Sequence, residues 1–331
     1  MKASAPVLRN VTLSYYPNSD PRRRMFALWF FGVLILLGTV VGHTVLGFEQ
    51  SWAQVVVALL AACAFQYGLE VVDARARRRP MRPLSSISEI AIFFMPAWIV
   101  GHALGLLIYA GDRLMPFAFA AAAAISSKVV FRAPTPAGSQ HFFNPSNCGM
   151  LITLALFPSV GLAPPYHFTE NLTGLAAWAV PAFVLVTGIS VHALFTGRLP
   201  IVAGWLIGFC VQALVRNYIA GAMSIAVFVP MTSAAFSLFT LYMIPDPATT
   251  PLNRSRQVLF GFAVAFVYGV LLLTHIVFGL FVALGIVSLG RGLGLYALAL
   301  FRKSQVAAAR PAAAVASTLS SAAPARQTIK T

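Results

Sequence analysis

Acidic residues are scarce in this chain. Only 8 of 331 residues are Asp or Glu, and charged residues together make up 9%, against roughly 25% in an average soluble domain. So few charges do not cover the surface of a water-soluble globule of this size. A soluble enzyme, a secreted disulfide scaffold and a disordered chain are therefore excluded. Cysteine is scarce as well: Cys63, Cys148 and Cys210 are too scattered for a disulfide framework or a metal cluster. The chain has no Walker phosphate loop, no His-Glu-x-x-His, no Gly-x-Ser-x-Gly elbow and no Cys-x-x-Cys. Those absences argue against stand-alone hydrolytic or nucleotide-consuming chemistry. What abounds is apolar: 59% of the chain, about 195 residues. At about 20 residues per membrane-spanning helix, that is enough for eight to ten spans.

Apolar runs fall at roughly 26–47, 52–70, 89–110, 114–131, 148–163, 175–195, 199–215, 217–244, 257–273 and 275–300. Their length predicts helices, since transmembrane strands are shorter and alternate. The expectation is an all-α integral membrane protein of about ten spans. Arg22–Arg24 precede a run long enough to span, so the first segment reads as a span and not as a cleavable leader. The basic residues set the orientation. Arg75, Arg77, Arg78, Arg79 and Arg82 follow the second run, Lys128 and Arg132 the fourth, Arg198 the sixth, Arg254 and Arg256 the eighth, and Arg302 and Lys303 the tenth. With a cytoplasmic amino terminus all of these fall on the cytoplasmic side. Arg113 and Arg216 fall opposite, and Arg291 is ambiguous. The net charge of +15 then marks orientation and contact with anionic headgroups, not nucleic acid. The domain reading is a basic cytoplasmic segment 1–24, a membrane domain 25–303 in two pseudo-repeats (about 25–163 and 175–303), and a tail 304–331. That tail is rich in Ala, Ser, Thr and Pro, and is expected to be disordered and cytoplasmic.

Two motifs interrupt the apolar pattern. The first is Gly138-Ser139-Gln140-His141-Phe142-Phe143-Asn144-Pro145-Ser146-Asn147. The second is Ile244-Pro245-Asp246-Pro247-Ala248-Thr249-Thr250-Pro251. Each carries an Asx-Pro pair at the cytoplasmic head of a predicted span. Proline lacks an N–H and holds the preceding residue extended, and that Asn or Asp can then cap the next helix. A helix end of this kind concentrates free N–H groups and partial positive charge. Matching breaks in two halves are a sign of an internal repeat with a site at the interface, although an inverted repeat alone would not put both breaks on one side. The candidate binding or pathway residues are His141, Asn144, Pro145, Asn147, Asp246, Pro247, Thr249 and Thr250. Two capped cytoplasmic turns with no further role are the plainer alternative. The fifth run is short and carries Pro158, and the eighth is long with Pro230 inside it.

His141-Phe142-Phe143-Asn144-Pro145-Ser146-Asn147 resembles the Phe-Asn-Pro signature of the RnfD/NqrB family, the membrane subunits of the Rnf complex and of sodium-pumping NADH:quinone reductase. Asp246-Pro247, Thr250-Pro251 and Phe260-Gly261 resemble the second motif of that family, with Pro245 where the family has threonine. Ala163–Asn171 and Phe195-Thr196-Gly197-Arg198-Leu199-Pro200 look closer to the UnbU-type, enediyne-cluster-associated branch. The resemblance covers about 85–275. It implies a ten-helix inverted repeat related to urea transporters, bacterial inner-membrane location, and electron transfer with membrane or periplasmic redox partners. The family also carries FMN as a phosphoester on a threonine in a Ser-Gly-Ala-Thr setting. No such tetrapeptide occurs here, and Thr169 and Thr173, in the matching loop, stand in other contexts. Covalent FMN is therefore not expected. Non-covalent FMN or riboflavin, or a quinone, remains open beside a solute transporter or channel and a cofactor-free scaffold subunit.

Ionisable groups inside a membrane are functional candidates by default. Glu70 and Glu89 lie at span ends beside the Arg75–Arg82 cluster, where pairing is the first expectation. His102, His192 and His275 show no spacing that suits haem, and hydrogen-bonded core histidines are the better reading. Arg216 could meet a phosphate, Glu170 or water.

Overall fold

A computed structural model describes residues 21–135, 138–164, 168–219, 221, 224–276 and 278–321. The basic segment 1–20, Pro165-Tyr166-His167 and the last ten residues lie outside the described residues. The chain is all-α apart from two short antiparallel strand pairs. In chain order the helices are α1 (Pro21–Val41), α2 (Trp52–Ala76), α3 (Ile87–Leu107), α4 (Met115–Val130), α5 (Pro145–Leu156), α6 (Ala179–Val191), α7 (Leu199–Ile219), α8 (Ala234–Leu238), α9 (Arg254–Leu273) and α10 (Gly279–Ser321). The strands are β1 (Ile108–Tyr109), β2 (Arg132–Thr135), β3 (Gly138–His141) and β4 (Gly161–Leu162).

Seven helices among the described residues are long and apolar enough to cross a membrane. An eighth candidate is broken: the 3-10 segment Ile225–Thr232 meets Ala234–Met243 at 68°, just past Pro230 and at Ser233, whose side chain caps the second piece. The other two predicted spans are the shorter apolar helices α4 and α5, of 16 and 12 residues. At 1.5 Å per residue these are about 24 and 18 Å long, less than the hydrocarbon thickness of about 30 Å. Val33, Leu60, Val186, Ile207, Phe266 and Leu300 are exposed on the outer surface. An apolar exterior of this extent belongs against lipid, and the molecule is a multi-pass membrane protein.

Helix ends follow local chemistry. Ser51 with Gln54, and Ser86 with Glu89, form capping boxes at α2 and α3. α1 and α6 each end in a π-helical turn, Gly42–Leu46 and His192–Thr196, closed by left-handed Gly47 and Gly197. α10 runs on past Lys303 to Ser321, so the 304–321 part of the expected disordered tail is helical. Alanine is the strongest helix former, and the segment is rich in it.

Small residues let the helices touch. A Cβ on Gly204 of α7 would lie 2.2 Å from the Val258 carbonyl oxygen of α9, and one on Gly261 of α9 2.2 Å from that of Ile201. Gly208 faces Ala265 in the same seam. Gly101 and Gly105 of α3 close against Leu59 and Val55 of α2, and Gly149 of α5 against Ala120 and Ala124 of α4. Small-xxx-small spacing supplies the close backbone approach that holds helices together without a hydrophobic gradient. Two packing pairs recur along the chain: α2 on α4 and α7 on α9, then α4 on α5 and α9 on α10.

Candidate functional site

The first motif folds as the proline rule requires. Asn144 is extended, with φ −61° and ψ 122°, and its Oδ1 accepts the Asn147 N–H at 3.2 Å. Pro145 takes the first helical position, where no N–H is needed. Upstream the chain is not a plain loop: β2 and β3 form a hairpin in which Arg132 pairs with His141 and Ala133 with Gln140. Phe142, Phe143 and Cys148 pack with Ala133 beneath it.

The second motif folds differently. The Asp246 carboxylate accepts the Ala248 N–H at 3.0 Å through Oδ1 and the Thr249 hydroxyl at 3.1 Å through Oδ2. The Thr250 hydroxyl donates to the Asp246 carbonyl at 2.6 Å. This is a self-contained Asx turn, not the head of a span. α9 starts at Arg254, capped by Asn253, which accepts from the Ser255 and Arg256 N–H groups. The expectation that Asp246 caps the following helix is thus corrected. Prolines at 245, 247 and 251 deny the turn the donors that a continuing helix needs. Its orphan carbonyls are met by side chains instead: Arg198 donates to Pro251 at 3.0 Å and to Pro247 at 3.1 Å, and Gln257 Nε2 to Pro251 at 3.1 Å. Irregular backbone at a bundle end persists only when satisfied within the protein.

The two motifs meet. Asn144 Nδ2 donates to the Met243 carbonyl at 3.1 Å, just before the Asp246 turn. Gln140 Nε2 donates to the Ala248 carbonyl inside it. Asn147 reaches to α10, where its Nδ2 donates to Phe281 at 3.2 Å. All eight predicted site residues therefore lie in one assembly, and seven are buried, with Asn144 half-buried. Asn147 Oδ1, Gln257 Oε1 and Arg291 Nη1 are among the polar atoms there that are buried without a hydrogen-bond partner. Burial pushes the Asp246 carboxyl above its ordinary value, against the pull of its own hydrogen bonds, Arg198 and Lys128. Burial, then the charges of Lys128, Arg132 and Arg291, push the His141 imidazole down to about 3.

Lys128, Arg198 and Arg291 neighbour the two turns, whereas the sequence reading took Lys128 as an orientation mark, Arg198 as an orientation mark and part of the branch resemblance, and left Arg291 unassigned. Arg291 gave a signal, as the one cation that could not be assigned to a side. Gln140 and Gln257 gave none, because what they satisfy is distant or irregular backbone.

Other candidates lie elsewhere. Thr169 and Thr173 lie in the loop whose Phe168 packs on Phe48, ring centroids 5.3 Å apart, and Thr173 is exposed where a short 3-10 helix starts. That far end is tied by β1 on β4 and by Gln50 Nε2 donating to Leu106 and Ile108. His102 bonds the Trp98 carbonyl at 2.9 Å, and His192 bonds Leu241 at 2.6 Å and Thr196 at 2.7 Å. Both are core histidines held by hydrogen bonds, whereas His275 is an exposed left-handed residue after α9. Arg216 donates to Gln212 at 2.8 Å. No group of three or more metal-ligating side chains occurs among the described residues.

Chemically, the assembly offers a buried acceptor (Asn147), a buried donor (Arg291), the His141 imidazole and the cationic side chains of Lys128 and Arg198. An isoalloxazine ring presents imide N–H and carbonyl groups together and suits such a set, whereas an oxidised quinone offers acceptors alone. Against known proteins, the chain matches no family model and no curated protein.

Proposed function

We propose that this chain is an RnfD/NqrB-like membrane subunit that takes part in electron transfer with partner redox proteins. In this reading the Asn144-Pro145 and Asp246-Pro247 turns hold a flavin, FMN or riboflavin, without a covalent bond. The supporting observation is the meeting of two motifs, 102 residues apart from Pro145 to Pro247, around buried unpaired polar atoms. Buried polar groups are nearly always satisfied, so partnerless atoms mark a place for a ligand or ordered water. Asn147 and Arg291 would hold the ring's polar edge, and the Asp246 turn would fix the wall beside it. A bound flavin would supply one- and two-electron transfer. In this reading the chain lies in a bacterial inner membrane with both termini cytoplasmic, which the positive-inside rule supports by the cation-rich end. The repeated helix partners of the two halves support an inverted repeat of ten membrane segments.

The visible absorption spectrum of the detergent-purified chain tests this reading. Flavin bands are expected, and Asn147→Leu should lose them while the protein still inserts. The second reading, a small-solute transporter or channel, is favoured by the repeated helix partners and the two short apolar helices. A colourless protein that moves solute in proteoliposomes would establish it and sink the redox reading.

A further inference from the structure

Three prolines punctuate the segment that carries the Asp246 turn: Pro245, Pro247 and Pro251. In a helical register a carbonyl accepts the N–H four residues on, and proline has none to give. The carbonyls so deprived are those of Leu241, Met243 and Pro247. Each is met instead by a side-chain donor from a different element. His192 Nε2, in the π-helical turn after α6, bonds the Leu241 carbonyl at 2.6 Å. Asn144 Nδ2, at the head of α5, donates to Met243 at 3.1 Å. Arg198 Nη2, before α7, donates to Pro247 at 3.1 Å. Between α8 and the turn, Phe239–Met243 is itself wound as a π-helical turn, with the Ile244 N–H on the Phe239 carbonyl at 3.1 Å. Such winding is rare and often marks a functional site. Gly188 lets α6 close on it, since a Cβ there would lie 2.6 Å from Leu241 Cβ. His192 is buried, and a carbonyl only accepts, so its Nε2 carries the proton. In the neutral ring Nδ1 then accepts the Thr196 hydroxyl, 2.7 Å away, which fixes that tautomer.

We propose that His192 is a positioning residue of the Asp246 turn, its Nε2–H standing in for the N–H that Pro245 lacks. Asn144 and Arg198 do the same for Pro247 and Pro251. The turn therefore sits where three elements place their donors, and not where its own backbone would put it. A buried carbonyl left without a donor costs the desolvation of that group, so each donor is tied to one proline. The pairing belongs to the ligand-free chain. Only its consequence for a ligand rests on the two turns forming a site.

Double-variant cycles in the full chain, purified in detergent, test the assignment. His192→Leu should lower the melting temperature by about 2 °C or more. It should also speed amide hydrogen exchange over 239–250 while leaving 254–273 unchanged. Pro245→Ala offers the Leu241 carbonyl a backbone N–H, so in that background His192→Leu should cost little and exchange over 239–250 should slow again. Pro247→Ala should not rescue His192→Leu, but should rescue Asn144→Leu. If His192→Leu alone yields no folded protein, recovery of folded protein by Pro245→Ala and not by Pro247→Ala is the same result. Additive losses in the His192–Pro245 pair overturn the proposal, as does equal rescue by either proline variant. None of these measurements needs a ligand. A colourless protein with the expected rescue removes the flavin reading and leaves this one standing, and flavin bands without the rescue do the reverse.

Discussion

Two charge clusters sit at the same end of this bundle, and they are built on opposite terms. In the α2–α3 connection every carboxylate has a guanidinium. Arg79 meets both oxygens of Glu70, at 2.7 and 2.9 Å, and Asp73 at 2.6 Å. The Arg82 N–H donates to Glu70 at 3.1 Å, and Arg77 meets Asp73 at 2.7 Å. Glu89, expected to pair as well, serves instead in the cap of α3, accepting from Ser85 and Ser86. In the second group, at the Asp246 turn, Lys128, Arg291 and Asp246 form no ion pair with a described residue. A matched set closes a loop on itself and leaves nothing for a ligand. An unmatched set held in place by neighbouring helices is pre-organised for one. The partners of Glu70 lie within 12 residues of it, so local sequence alone assembles that cluster. The other draws its cations from three separate elements.

Removing a matched partner should give the largest effect. Arg79→Ala leaves Glu70, 7% exposed, without its bidentate partner. Breaking a buried pair from one side costs about 3 kcal/mol or more. Thermal or denaturant unfolding in detergent should show that loss, while Lys128→Met moves stability the other way. Equal destabilisation by both would mean that the two clusters do the same job and that the contrast is false.

A smaller effect is expected from His141, which lies inside the unmatched cluster. Its folded-state value of about 3 is below the ordinary value of about 6.5. The unfolded chain therefore takes up a proton first as pH falls. The stability this histidine contributes is fully present above about pH 6.5 and is lost as pH drops toward 3. Between pH 6.5 and 5 the loss is about 1.5 kcal/mol. His141→Gln should flatten the stability profile by that much. An unaltered slope in His141→Gln would place the imidazole outside the cations' field.

What the sequence disclosed follows from how local each feature is. The apolar runs locate the helical segments but not which of them are long enough to span, because run length against bilayer thickness is a one-dimensional constraint. The Asn144 cap was legible for the same reason: Asn-Pro acts on the next three residues. The Asp246 turn was misjudged as a helix head because the same dipeptide logic ignores Pro245 and Pro251, which together break the donor run. The Asn144–Met243 contact, 99 residues apart, has no local signature. The seam of Gly204 and Gly208 against Gly261 and Ala265 does have one, in its small-xxx-small spacing, but small residues also read as plain apolar filler. Arg198 and Lys128 were hidden by the orientation reading: a cation at a helix end that marks orientation can also turn inward.

The smallest effect completes the comparison. Arg77 belongs to the matched cluster by distance but not by burial: its side chain is 70% exposed and that of Asp73 33%. Removing it leaves Asp73 paired with Arg79, so no carboxylate is stranded. Exposed pairs of this spacing contribute only about 0.3–0.5 kcal/mol, and that contribution fades further as salt screens it. Arg77→Ala should therefore change unfolding by less than about 0.5 kcal/mol, and 0.5 M salt should erase the difference. The same salt should leave the Arg79→Ala loss largely in place, because a partly buried pair is screened far less. If Arg77→Ala instead matched Arg79→Ala, the cluster would act as one indivisible network, and burial would not be what separates structural charges from those left free to bind.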